Sequence, residues 1–428
     1  MKRSTRISIL SLFILAIFLL TGFTAYMLID TIQYPATISA GYDYSLFIND
    51  ELSLWGYGSN KYAVLGNPIL GDRASPVLLA EDVVFISAGD FHTVYIKESG
   101  GLWGFGSNAY LALGGSNKGL LTQTRLLPRA IFACAGPTYT LAIDDNNTLK
   151  CWGFLNGVSI SNFSVSDVKA VSSGFEHILI LKTDGTLWTT GNNNYGQLGT
   201  GDALSHNSPV QILSGITKIS AGLYHSMALK DDGTLYTWGL NGMGQLGINS
   251  TTDTFSPTAL ALVNTIEISA GNWHSAAITD DTTLYTWGLN DSGQLGINST
   301  TDSLVPTSVD NGVIKVSTGT FHTLYLKGDQ TLWHTGSNQL TPVQTAANVK
   351  LPSPITFNGE EITFGDINDD GVVNILDLIN LAQKLAGIIE LTEYGKAAAD
   401  VNHDGAVDIL DLIKLAQHLA GIVNNLDI

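Results

Sequence analysis

Apolar and polar side chains alternate over residues 224–229 and again over 234–239, the period-2 pattern of half-buried strands. Asp232-Gly233 between them supplies a tight hairpin turn. The chain then runs through Gly244-Gln245-Leu246-Gly247 into a loop and on to a proline-initiated apolar stretch, as in Ser208-Pro209-Val210-Gln211-Ile212. One such cassette predicts three to four short strands. It recurs. With Gly222 as anchor, glycines preceded by Ala, Ser or Thr stand at Gly41, Gly89, Gly136, Gly174, Gly271 and Gly319, spaced by 38 to 49 residues. A second glycine follows each anchor by 17 residues (Gly58, Gly106, Gly153, Gly191, Gly239, Gly288, Gly336), with a leucine four residues before it.

A period in this range marks an array, solenoid or propeller, and four short strands per period are the content of one propeller blade. The G-x-x-H-[ST] step, the Leu-Tyr-Thr-Trp-Gly-x-Asn strand and Gly-Gln-Leu-Gly resemble the regulator of chromosome condensation repeat, specifically in Gly222, His225, Trp238, Asn241 and 244–247. That family builds seven-bladed β-propellers, so the resemblance implies a mainly β fold with seven blades over residues 31–350. Its relatives include a guanine nucleotide exchange factor and a bacterial inhibitor of β-lactamase, of which only partner binding carries over. The third copy is ten residues short and lacks Gly-Gln-Leu-Gly. Because the seventh copy ends in Thr341-Pro342-Val343-Gln344 without a following Ile-Ser-Ala-Gly, the ring is expected to close by pairing the N- and C-terminal segments.

The pattern changes beyond Leu351-Pro352-Ser353-Pro354, where 351–361 reads as a linker and 362–428 as a separate domain. Apolar residues at Ile375, Leu378, Ile379, Leu381 and Leu385 keep a helical spacing up to Gly387, and the same pattern returns up to Gly421. Ahead of each helix lies a loop with oxygen side chains at positions 1, 3, 5, 9 and 12 and glycine at position 6 (Gly371, Gly405), the spacing of an EF-hand calcium loop. Two loop-then-helix copies with aspartate at position 12 resemble a dockerin, the small α-helical module that binds a cohesin domain. By that resemblance two calcium ions are held by Asp366, Asn368, Asp370, Asn374 and Asp377 and by Asp400, Asn402, Asp404, Asp408 and Asp411, with Val372 and Ala406 at the backbone-carbonyl position. The cohesin-facing residues are then Ile375, Leu376, Ile409 and Leu410, with Gln383 and Gln417. Where one large dockerin class has Ser-Thr, these Ile-Leu pairs imply a more hydrophobic interface.

Charge agrees with this division. The chain has 38 acidic against 20 basic residues, and residues 360–428 alone hold 13 acids against three lysines. No basic patch suited to phosphate is visible, which argues against a nucleic-acid partner. At the other end Lys2, Arg3 and Arg6 precede 23 mostly apolar residues, 7–29, long enough to cross a ~30 Å hydrocarbon core. Residues 1–30 read as a signal peptide or signal anchor that places the remainder outside the cytoplasm, tethered or secreted.

Candidate chemistry is sparse. Gly242-Met243-Gly244-Gln245-Leu246-Gly247 matches G-x-G-x-x-G, but no helix is predicted after it, so it reads as an inter-strand turn. His92, His177, His225, His274 and His322 share one register with Tyr44 and Tyr139, and this exchange points to packing and hydrogen bonding within each blade. The aromatic column Tyr57, Phe105, Trp152, Trp238 and Trp287, with Thr190 and Thr335, reads as core between blades. The identical Ile-Asn-Ser-Thr-Thr-Asp loops at 248–253 and 297–302 are the candidate binding surface. Cys134 and Cys151 are expected to be buried free thiols about 23 Å apart along the sheet, beyond disulfide reach. Together these features predict an extracytoplasmic, non-catalytic interaction protein whose propeller ligand is unnamed. The alternative is a carbohydrate-binding or glycan-degrading component of a polysaccharide-degrading, cellulosome-like complex.

Overall fold

Each repeat folds into one four-stranded antiparallel sheet of consecutive strands, and seven such blades surround a central channel. The computed structural model describes residues 36–351 except 70 and 162, together with the strand pair Thr31–Ile32 and Ile355–Thr356. The N-terminal apolar segment and both calcium-type loops with their helices lie outside the described residues. Among the described residues no helix is long and apolar enough to cross a membrane.

Blade 5 shows how the repeat works. Its strands are Ile216–Ala221, His225–Lys230, Leu235–Gly239 and Thr254–Ala259, innermost to outermost. The hairpin at Asp232-Gly233 is closed by Gly233 N–H donating to Lys230 O at 3.1 Å, with Gly233 at φ +81. That dihedral suits glycine. Gly239 ends the third strand at φ +104, and a Cβ there would meet Tyr224 O at 2.5 Å and the His225 Cα at 2.8 Å. The shortened third repeat still forms a blade, but its fourth strand is only Val158–Ser159.

A single blade cannot bury both its faces, so the core lies between blades. Leu179, Leu181 and Leu187 of blade 4 pack with Ala228 and Trp238 of blade 5, and Met227 and Leu229 of blade 5 with Trp287 of blade 6. Phe105 fills the corresponding place between blades 1 and 2. Within the aromatic column, Phe105, Trp238 and Trp287 are therefore core, each contributing roughly 1.5–3 kcal/mol by burial. The indole N–H groups of Trp238 and Trp287 donate to Gln197 O and Gln245 O of the preceding blade, both at 2.9 Å. Thr190 and Thr335 are buried and donate to the carbonyls of His206 and Gly293. Tyr57 and Trp152 remain half-buried.

The histidines correct the expectation of a role within each blade. Nε2 of His92, His177, His225, His274 and His322 reaches the hydroxyl of Thr140, Ser226, Ser275, Thr323 and Ser45 in the following blade, at 2.7 to 3.0 Å. Ser226, Ser275 and Thr323 each donate their single proton to a carbonyl, of Gln197, Gln245 and Gln294. They must therefore accept from the ring, which makes Nε2 the protonated nitrogen of His177, His225 and His274. Tyr44 makes the same step to Thr93 at 2.9 Å. Tyr139 faces Ile178, which has no hydroxyl, and donates instead to Gly174 O and His177 O. The reason is geometric: these side chains lie near the axis, where neighbouring blades are closest. The anchor glycine follows from the same crowding, because a Cβ on Gly222 would collide with the His225 ring and Gly271 O.

Ring closure follows the expected pairing of the terminal segments, with Thr31–Ile32 antiparallel to Ile355–Thr356. No blade is shared between the termini, however: blade 1 supplies its own inner strand, Ile38–Ala40, and blade 7 its own outer strand, Gln339–Ala346. The ends also meet by packing. Val349 bridges to Asn49 and is buried with Ile38, Phe47, Leu324, Leu326 and Leu332. Ser45 and Ser317 complete the seam through His322 Nε2 and Ala40 N–H.

The two cysteines are free, as expected, but for another reason. Cys134 pairs with Leu141 and Leu141 with Cys151, so they sit in line across three strands. Two strand spacings separate them by about 10 Å, still beyond the roughly 4.4–6.8 Å that a disulfide spans. Cys134 is half-buried, beside Ser173 Oγ at 3.1 Å, in the register where other blades carry serine.

Candidate binding face

Two kinds of loop share one end of the propeller. The loop joining the first and second strands holds the anchor glycine and two variable residues; the longer loop joins the third strand to the fourth. Backbone bonds tie them: Leu240 N–H donates to Tyr224 O at 2.9 Å, and equivalent bonds run from Ser59, Ser107, Asn192, Leu289 and Ser337.

The long loop is shaped by a buried asparagine. Asn241 Oδ1 accepts from Leu246 N–H, its Nδ2 donates to Ser250 O and Thr252 O, and its own N–H donates to Asp253. Asn290 repeats this with Leu295, Ser299, Thr301 and Asp302. The shared Ile-Asn-Ser-Thr-Thr-Asp sequence is thus explained by loop closure, with its serine and threonine carbonyls and its aspartate already engaged. The Gly-Gln-Leu-Gly segment sits inside the same loop as a turn between strands, with no helix after it, as its sequence predicts.

The two variable positions carry something the fold does not need. Between anchor glycine and His or Tyr stand Tyr42, Phe91, Phe175, Tyr224, Trp273 and Phe321, an aromatic residue in six of the seven repeats. None is fully buried. Phe175, Tyr224 and Trp273 meet in sequence at 5.7 and 6.4 Å between ring centroids, and Tyr195 from the long loop of blade 4 joins Tyr224 at 5.1 Å. Tyr42 meets Phe321 across the seam at 5.8 Å, and Tyr62 meets Phe91 at 4.8 Å. Acidic groups interleave: Asp43, Asp90 and Glu176 occupy the remaining variable positions of their loops. Burial, and then the charge of Asp43, raises Asp90 to about 6. A channel of about 240 Å³ opens at the centre of this rim, and a notch of about 270 Å³ lies between blades 1 and 2.

Sequence reasoning passed over this face because it weighed the residues that repeat. The usable signal was the x-x of G-x-x-H-[ST], two positions free to vary that are aromatic in nearly every copy. The histidines form no metal centre, each being engaged with the next blade, and among the described residues no cluster of three or more His, Cys, Asp or Glu could hold an ion.

Family models match the chain in three stretches: the RCC1-like domain over residues 155–365, the regulator of chromosome condensation (RCC1) repeat over 83–110, and the dockerin type I domain over 364–420. The chain is an RCC1-type propeller followed by a C-terminal dockerin. Prp20p from Saccharomyces cerevisiae resembles the propeller with a TM-score of 0.59 at 21% identity, covering 72% of this chain and 82% of that one. Human WBSCR16 does so with a TM-score of 0.60 at 20% identity, covering 68% and 86%. At such identities the likeness is one of fold. The dockerin residues Asp366 to Asp411 and the Ile-Leu pairs carry no described geometry.

Proposed function

We propose that this is an exported, non-catalytic interaction protein whose aromatic rim captures a partner and whose dockerin fastens it to a cohesin-bearing protein or scaffold. The observation that carries the reading is the rim itself. Six aromatic side chains stand partly exposed on these loops, whose stapling bonds use the backbone and leave the rings themselves unengaged by hydrogen bonds among the described residues. Large, rigid rings of this kind anchor interfaces at low entropic cost. The structure of Prp20p was described together with its binding properties to Gsp1p and histones, so the same scaffold serves protein binding in that case.

The dockerin half rests on its donor set. Each loop offers five oxygen side chains plus the carbonyl of Val372 or Ala406, which suits hard calcium. Bound calcium would offset the crowded carboxylates and let the loops close. Asp366, Asn368, Asp370, Asn374 and Asp377 would hold one ion, and Asp400, Asn402, Asp404, Asp408 and Asp411 the other. Ile375, Leu376, Ile409 and Leu410, flanked by Gln383 and Gln417, would face the cohesin. Export through residues 1–30, either cleaved or retained as an anchor, would bring the module to where cohesins are displayed.

The test has two arms. Capture of the full chain on immobilised cohesins should occur in calcium and fail in EGTA; capture indifferent to EGTA would remove the dockerin arm. Protein and glycan arrays probed with wild type and with Tyr224→Ala/Trp273→Ala should show a ligand lost in the variant. Binding that survives the double substitution would remove the rim. Aromatic rims also stack on sugar rings, so a glycan-only outcome would favour the carbohydrate-binding alternative.

A further inference from the structure

The notch between blades 1 and 2 is lined by Tyr42, Tyr62 and Phe91, by Asp43 and Asp90, and at its lip by Lys61. Asp90 is its unusual member. It stands between the notch and the central channel, bordering both, and is largely enclosed. Its carboxylate makes no hydrogen bond or ion pair among the described residues, whereas enclosed carboxylates ordinarily have donors. Asp43, one blade away, adds a second carboxylate. Asp72, which couples to Asp43, is engaged by Asn60 N–H at 2.8 Å.

We propose that this notch is a receptor for a primary ammonium group, of the kind a lysine side chain of a partner protein presents. This deepens the reading of the rim as a partner-binding face and rests on it. Three features select that chemistry. The acids call for a cation, and the three ring walls favour an organic one through their electron-rich faces. A divalent metal would need six or more oxygens, which two carboxylates do not provide. The lack of any donor to Asp90 calls for N–H groups, which a primary ammonium has and a quaternary one has not. The chain already shows the preference: Lys61 Nζ lies over the Tyr62 ring at 5.4 Å from its centroid, on the exposed side, leaving Asp90 unpaired.

The full chain, at neutral pH and fixed calcium, would be titrated by ligand-observed NMR with Nα-acetyl-lysine methyl ester. Its Nε-acetylated counterpart and tetramethylammonium serve as neutral and donor-free controls. Saturable binding of the first alone is expected. Asp90→Asn should weaken it by about tenfold or more, the scale of a charge-assisted hydrogen bond, and Tyr62→Ala should weaken it several-fold. Tryptophan emission confirms folding, since all eight tryptophans lie in the propeller. No binding, equal binding of the neutral ester or of tetramethylammonium, or indifference to Asp90→Asn in a folded variant would overturn the proposal. If the amine fails while a protein ligand is still lost in Tyr224→Ala/Trp273→Ala, the ammonium receptor falls and the partner face stands.

Discussion

Acid should open this propeller well before it titrates most carboxylates, because its blades are joined through enclosed neutral imidazoles. Burial lowers His92 and His322 to about 4 and His177, His225 and His274 to about 3, with neighbouring histidines adding to the effect at His177, His274 and His322. A histidine whose folded pKa lies below its unfolded value of about 6.5 takes up a proton only on unfolding. Its contribution is intact above that value and is lost as pH falls from 6.5 towards 3 or 4. Between pH 7 and pH 5 each histidine should cost about 2 kcal/mol and the five together about 9, comparable to the whole stability of many domains. Asp90 works the other way: raised to about 6, it should return about 1 kcal/mol by pH 5. Tryptophan fluorescence followed during thermal melts from pH 8 to pH 4 reads the propeller alone. Calorimetry in buffers of different ionisation enthalpy counts the protons. About four protons should enter on unfolding at pH 5, and the melting temperature should fall steeply below pH 6. Uptake of one proton or fewer, or a melting temperature flat to pH 4.5, would show that the imidazoles are not held neutral. His225→Tyr, which copies Tyr44 and Tyr139, should remove one proton from the count.

Gly239→Val should destabilise blade 5 by about 3 kcal/mol in urea unfolding, since φ +104 and a Cβ at 2.5 Å from Tyr224 O allow no easy relief. Gly242→Val, at a glycine with nothing within 4 Å, should melt with wild type, and equal losses at both would refute the backbone argument. Glu267 lies between Lys218 of blade 5 at 2.7 Å and Lys315 of blade 7 at 3.2 Å. Although burial alone would raise its carboxyl, the two lysines outweigh it and hold it below the ordinary range. Glu267→Ala should cost about 3 kcal/mol by chemical denaturation, and a loss under 0.5 would mean that the lysines find water unaided. In the dockerin, the second loop holds Asp400, Asp404, Asp408 and Asp411 against Asp366, Asp370 and Asp377 in the first. Asp411→Ala should therefore weaken calorimetric calcium binding more than Asp377→Ala, and the reverse order would contradict the charge argument.

Local pattern carried the architecture a long way. Alternation over 224–229 and 234–239, Asp232-Gly233 and the second glycine column are written in nearest-neighbour chemistry: a strand's period, a turn's sign of φ, a backbone that rejects Cβ. These determined the number of blades and the strands within each. The calcium loops are legible for the same reason, since their ligands lie within twelve consecutive positions. What lay beyond the sequence were the relations between blades. Whether His225 serves its own blade or the next depends on how sheets pack around the axis, and its partner Ser275 stands 50 residues away. The cysteines were placed on a strand path when only the lateral register, Cys134 to Leu141 to Cys151, decides their separation. Closure by pairing of the terminal segments was legible, but not that Val349 and Ile38 would be buried together across the seam. The rim was the largest omission. A residue that varies from copy to copy has no period of its own, and only the ring of blades brings Phe175, Tyr224 and Trp273 side by side. Sequence determines what each repeat becomes; the tertiary structure decides which repeats' side chains meet, because those contacts are made between residues the chain keeps far apart.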